Sequence, residues 1–279
     1  MNHGGNDNRI RSFSDVVSID AWHQDLNDKC SRADLHAHVV FGEAKLGGEQ
    51  ESPVRFRLSI RRAEIVVVIS ETEPLGVDPA SVTRDLLNVK GTRKVIRSVA
   101  RQKSVGGAVG VKVSAKGASG EVSAKAAVGA KSSASEVTTL SEQVSVHIIT
   151  QSKTTDGFYR WIVAMQDGGA LSGAPWDGTA KPRLTIVDQR THKRSNIPPS
   201  LRVEVRCSRE DLIIEDLELK DESKWNMLRN AHGAGRRIAA AEGYLLDQLT
   251  KVGLEVSNIS DKFGTLVLAS ATASTSGVK

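Results

Sequence analysis

Residues 54–60 read Val54-Arg55-Phe56-Arg57-Leu58-Ser59-Ile60. Every second residue is apolar and the residues between are arginine or serine. That period of two belongs to a strand with one face in a core and one in solvent, because successive strand side chains leave on opposite faces. The chain then passes a short charged corner, Arg61 to Glu64, and enters Ile65 to Ile69, a β-branched run that predicts a strand buried on both faces. The same order recurs later. Leu201, Val203, Val205 and Cys207 alternate with Arg202, Glu204 and Arg206, and Leu212 to Leu219 follows. Aligned at a constant offset, Arg62 matches Arg209 and Glu64 matches Asp211, which suggests a duplicated half of a β-sandwich.

Further strands extend this reading. Leu35, Ala37, Val39 and Phe41 alternate with His36, His38 and Val40, and Val144, Val146 and Ile148 alternate with Ser145, His147 and Ile149. Phe158 to Met165 is aromatic and β-branched, and Asp156-Gly157 before it is a hairpin signal. Glycines and prolines from Gly168 to Pro182 predict a long irregular connection around Trp176, with Leu184 to Val187 a strand beyond it. Residues 1–13 read as disordered. Ser14 or Asp15 could cap a short helix carrying Val17, Ala21, Trp22 and Leu26 on one side. From about Glu222 to Lys251 apolar residues recur every three or four positions, a long amphipathic helix stopped at Gly253. Leu254–Ile259 and Thr265–Ala269 read as two last strands, and the tail from Thr272 as loose.

The expected fold is therefore mainly β. An antiparallel β-sandwich-like domain occupies 31–220, interrupted by a long Gly/Ala/Lys-rich hairpin insertion at 105–136. Residues 1–30 form a tail and short helix, and 221–279 carry the C-terminal amphipathic helix, short strands and a loose tail.

Bulk properties narrow the function classes. The chain has 279 residues and a net charge of +5, enough for a sizeable core with a modest basic excess. Its two cysteines, Cys30 and Cys207, form neither a disulfide framework nor a zinc-binding CxxC pair, so free thiols in a reducing, cytoplasmic setting are expected. The first residues lack the apolar stretch of a secretory signal, and no apolar run is long enough for a helical membrane span. A membrane would have to be reached after assembly. Charge is unevenly placed. Lys90, Arg93, Lys94, Arg97, Lys112 and Lys116 lie in a stretch from Leu86 to Gly120 that contains no Asp or Glu. They are the candidates for contact with a polyanion, either an anionic membrane or nucleic acid.

The insertion is patterned. Val105, Gly107, Val109, Val111, Val113 and Ala115 alternate with Gly106, Ala108, Gly110, Lys112, Ser114 and Lys116. After Gly117-Ala118-Ser119-Gly120 the parity flips: Val122, Ala124, Ala126, Val128 and Ala130 alternate with Ser123, Lys125, Gly129 and Lys131, Ala127 being the exception. Two arms of about 11 residues, each roughly 36 Å long when extended, would present one apolar and one cationic face. The pattern resembles the membrane-inserting hairpin of β-barrel pore-forming proteins. That resemblance implies Val109, Val111, Val113, Val122 and Val128 facing lipid, a homo-oligomer, and lysines lining an aqueous lumen. A flexible Gly/Ser/Ala loop, a helix, and an arm gripping a neighbouring subunit or nucleic acid are the alternatives.

Catalytic signatures are incomplete. Asp34-Leu35-His36-Ala37-His38 resembles the first-strand motif of amidohydrolase-type metal hydrolases, with His36 and His38 on one strand face. The parallel barrel and later ligands of that family are not legible here, so the pair gives only a secondary hydrolase reading. No P-loop, GxSxG or HExxH motif is present. The chain is expected to be a non-enzyme without cofactor, metal or small-molecule substrate, and Trp161 and Trp176 are expected in the core.

Overall fold

Two long bent strands organise the structure, a computed structural model that describes residues 8–27, 29–49, 52–84, 92–100, 135–143, 146–190, 199–220 and 233–275. In chain order the strands are β1 (Arg9–Arg11), β2 (Val17–His23), β3 (Arg32–Phe41), β4 (Ala44–Gly47), β5 (Val54–Ile60), β6 (Arg62–Val68), β7 (Leu75–Val77), β8 (Thr92–Ala100) and β9 (Ser135–Gln143). They continue as β10 (His147–Lys153), β11 (Tyr159–Met165), β12 (Leu184–Asp188), β13 (Arg202–Ser208), β14 (Leu212–Leu219), β15 (Thr265–Thr272) and β16 (Ser274–Thr275). Helix α1 (Gly233–Lys251) stands between β14 and β15. The protein is mainly β and its sheets are antiparallel, apart from β16, which runs parallel to β2. Cα packing divides the chain into two compact units, residues 1–89 with 145–279, and residues 90–144.

In the larger unit a six-stranded sheet runs β1-β15-β13-β6-β11-β10, a five-stranded sheet β16-β2-β3-β12-β7, and a three-stranded sheet β14-β5-β4. Strand β5 passes through Arg61 directly into β6, and β13 passes through Arg209–Asp211 into β14. Each pair thus leaves one sheet and enters another, the corner device of sandwiches whose sheets cross. The two bent strands also pair with each other, β5 on β14 and β6 on β13. The repeat visible in the sequence is therefore a pair of neighbours in space.

The alternation read at 54–60 holds for its apolar residues, Val54, Phe56, Leu58 and Ile60 being buried and Arg55 exposed, but Ser59 on the opposite face is buried too. The inward residues of β2 and β3 meet those of β6, β13 and β15 in one hydrophobic core, with β2 packed on β13 and β15. Each fully buried Leu or Phe there contributes about 1.5–3 kcal/mol of transfer free energy. Helix α1 lays Ala241, Leu245 and Leu249 on β5 and β14, and Tyr244 meets Phe56 edge to face. The helix ends in a Schellman motif. Gly253, at φ +75°, donates to Thr250 O (3.0 Å) and Leu254 donates to Leu249 O (3.0 Å), with both leucines buried.

Four expectations are corrected. The short helix after Ser14 is strand β2: Val17, Ile19, Ala21 and His23 face inward and Ser18, Asp20 and Trp22 face outward. Trp22, counted as part of a helical stripe, stacks on His36 instead. Residues 8–13 are not disordered, because β1 pairs with β15 and Phe13 is buried; residues 1–7 lie outside the described residues. Leu254–Ile259 is not a strand, and only Val256 makes a bridge, to Leu266. Of the tail from Thr272, residues 272–275 are held by burial of Ala273 and by β16, and residues 276–279 lie outside the described residues. The amphipathic helix is described from Gly233; residues 222–232 lie outside the described residues.

Candidate functional site

Among the described residues, the smaller unit consists of one ladder. β8 and β9 pair antiparallel over nine positions without a register break, from Thr92↔Gln143 to Ala100↔Ser135. β-Branched residues favour strand pairing here: Val95 stands opposite Leu140 and Ile96 opposite Thr139. Arg93, Lys94 and Arg97 all lie on β8. Arg93 stands opposite Glu142, Lys94 opposite Ser141, Arg97 opposite Thr138, and Val99 opposite Glu136. The acid-free stretch counted along one strand therefore has two glutamates on its partner strand. Lys90, Lys112, Lys116, Val109, Val111, Val113, Val122 and Val128 lie outside the described residues, as do Lys125 and Lys131.

His36 and His38 stand two apart on β3 in different surroundings, His36 half-buried and His38 exposed. The ring of His36 stacks on Trp22, with centroids 5.4 Å apart and planes 7° from parallel. Its Nδ1 lies 2.9 Å from Gly178 O. Beside exposed His38 stands Asp177, whose carboxyl is held below its ordinary range, chiefly by the Thr179 hydroxyl and then by the Thr179 and Ala180 amides, with a smaller contribution from His38. Among the described residues, no three His, Cys, Asp or Glu side chains come together as metal ligands.

Gly178 is what lets the irregular connection lie on β3. A Cβ there would stand 2.6 Å from Ala37 O and 2.9 Å from His38 Cα. The same connection carries Trp176, whose Nε1 donates to Ala37 O (2.7 Å), while Trp161 Nε1 donates to Thr83 O (2.8 Å). Both indoles are buried, as expected, and meet edge to face at 6.5 Å. Sequence reasoning passed over Arg183, which is fully buried with its guanidinium 4.2 Å from the Trp176 ring centroid. A cation stacked on indole in a core is a strong contact, but a lone arginine between Pro182 and Leu184 gives no local signal of it.

A groove of about 400 Å³ on the three-stranded sheet is lined by Lys45, Arg55, Arg57, Asp216, Leu217 and Glu218. It sits at a β-bulge, where Asp216 adopts φ 52°. Arg57 is held charged by Asp216 first and then by Glu43. The cysteines are free thiols, Cys30 exposed and Cys207 buried, and burial pushes the Cys207 thiol far up. None of the described helices is long and apolar enough to cross a membrane.

No family model matches the chain, and no curated protein does. Among solved structures it is similar to the crystal structure of the Clostridium perfringens NetB toxin in the membrane-inserted form. That likeness has 11% identity over 68% of this chain and 84% of that chain, with a TM-score of 0.25.

Proposed function

We propose that the chain is a non-catalytic, oligomerising protein whose segment 105–136 forms a β-hairpin that enters anionic membranes and closes a barrel with copies of itself. The observation that carries this reading is the register of β8 and β9. Counted onward in that register, Val105 falls opposite Ala130, Gly107 opposite Val128, Val109 opposite Ala126, Val111 opposite Ala124, and Val113 opposite Val122. The apolar parity of one arm meets the apolar parity of the other. A slip of one residue would set apolar against polar along the whole length. The same count leaves Gly117-Ala118 between Lys116 and Ser119, so the turn falls within the Gly-rich tip.

In this reading Val109, Val111, Val113, Val122 and Val128 face lipid. Lys112, Lys116, Lys125 and Lys131 line an anion-favouring lumen. Only a closed barrel satisfies the edge N–H and C=O groups in hydrocarbon, so the mechanism requires a homo-oligomer. Arg93, Lys94 and Arg97 at the base, with Lys90, attract the anionic surface, and salt weakens that attraction.

Dye release from anionic liposomes tests the reading. Val111→Asp and Val113→Asp put charge on the lipid face at a cost of about 2–4 kcal/mol each near the midplane. They abolish leakage while the circular dichroism of the body is unchanged. Leakage that survives both changes, or none from the intact protein even after limited proteolysis, favours a scaffold whose arm grips a neighbouring subunit or nucleic acid.

A further inference from the structure

The loop between α1 and β15 holds an aromatic ring out into solvent on a fixed backbone. Phe263 is 75% exposed, whereas the next most exposed large apolar side chains among the described residues, Ile10, Ile238, Leu246 and Val252, are near 40%. The exposure is not that of a loose loop. Asp261 N–H donates to Asn258 O (3.1 Å), Gly264 N–H to Asp261 O (2.9 Å), and Phe263 N–H to Asp261 Oδ1 (3.0 Å). The body grips both neighbours of Phe263, because Glu210 N–H donates to Lys262 O (2.9 Å) and Arg209 N–H to Gly264 O (2.9 Å). A Cβ on Gly264 would collide with Asn258 O, so the tight turn needs glycine there.

Arg209 also reaches the helix, its Nε donating to Glu242 Oε1 at 2.7 Å. Ile238 and Leu246 stand one turn either side of Glu242 and so share its stripe of α1. The loop and this stripe are thus anchored to the same arginine.

We propose that Phe263 and the neighbouring flank of α1 are a docking surface for an anionic lipid bilayer. One phenylalanine and a few half-exposed aliphatic side chains offer less than the roughly 800 Å² per partner that a stable protein interface buries. A protein partner would also need a pocket shaped for the ring. A bilayer needs neither. It accepts a protruding ring at the level of the headgroups, and Lys262, exposed beside it, meets the phosphates there. Docking of this kind does not require residues 105–136 to insert.

The test is co-sedimentation of the full chain with vesicles of phosphatidylcholine and phosphatidylserine. Phe263→Ala weakens binding by about tenfold or more, the worth of burying one phenylalanine ring, and leaves the thermal melt unchanged. Phe263→Trp keeps binding, and brominated lipid quenches its fluorescence beyond any quenching of the chain's four native tryptophans. Val111→Asp with Val113→Asp retains binding that depends on Phe263. Wild-type binding by Phe263→Ala, or no added quenching in Phe263→Trp, overturns the proposal. So does a change of oligomeric state in Phe263→Ala without vesicles, which would assign the surface to a second copy of the chain. Leakage without Phe263-dependent binding sinks this proposal and leaves the hairpin reading standing; Phe263-dependent binding without leakage does the reverse.

Discussion

Arg62 donates to a single oxygen, Asp211 Oδ2, from both Nε (3.1 Å) and Nη2 (3.0 Å), at the point where the two bent strands change sheets together. The backbone repeats the link, Arg61 N–H donating to Asp211 O at 2.8 Å. Their counterparts in the repeat have diverged. Glu64 takes Arg160 as a partner at 3.0 Å, and Arg209 takes Glu242. The corner is thus built from the charged residues that separate the two apolar halves of each long strand.

The two sides of this pair are unequal. Asp211 is buried, whereas the Arg62 side chain is 46% exposed. Arg62→Ala leaves a buried carboxylate without its guanidinium and costs about 3 kcal/mol. Asp211→Ala leaves an arginine that water can reach and costs about 1 kcal/mol. Urea unfolding of both variants checks the order; equal losses would mean that the corner does not depend on the burial of Asp211.

Trp176 binds the irregular connection to β3 through one hydrogen bond, to Ala37 O, while Arg183 from the end of that connection stacks on its ring. Trp176→Phe keeps most of the ring but orphans Ala37 O, at a cost of about 1–3 kcal/mol. Gly178→Ala forces the same connection away from β3 and destabilises in the same direction. The two losses combine less than additively in the double variant, since both loosen one contact. Chemical denaturation of the three variants measures this.

His147 begins β10, and its Nε2 is buried with no hydrogen-bond partner among the described residues. Burial lowers its pKa, opposed in part by the Ser172 backbone. The folded value therefore lies below the unfolded one of about 6.5. The stability this provides is whole above about pH 6.5 and is lost as pH falls from there through the folded pKa. Wild type should lose stability more steeply than His147→Phe between about pH 7 and 5. Parallel curves would show that His147 titrates as freely in the folded state as in the unfolded.

Much of the fold was legible because its strands are half-buried and so alternate, as at Val54–Ile60 and Leu201–Cys207. Strand β2 reads as a helix in the sequence because Trp22, outward and stacked on His36, joins Val17, Ala21 and Leu26 in an apolar stripe at helical spacing. Strand β1 was missed because its ordering comes from pairing with β15, a contact distant in sequence. The basic stretch was legible as composition, but Glu136 and Glu142 enter only with the register of β9. Phe263 gave a weak signal, an aromatic inside the turn-forming run Ser260-Asp261-Lys262-Phe263-Gly264. Its exposure follows from grips by Arg209 and Glu210 that no local pattern announces.

In the proposed function, segment 105–136 enters the membrane as a hairpin in the register set by β8 and β9. Cysteine pairs in a Cys30→Ser background, oxidised in the vesicle-bound protein, test it most directly. Opposed pairs in a β-ladder lie close enough to bridge. Val113→Cys with Val122→Cys, or Lys112→Cys with Ser123→Cys, should form an intrachain disulfide, while the slipped pair Val113→Cys with Ser123→Cys should not. Efficient linkage of the slipped pair, or of none of the three, would contradict the account.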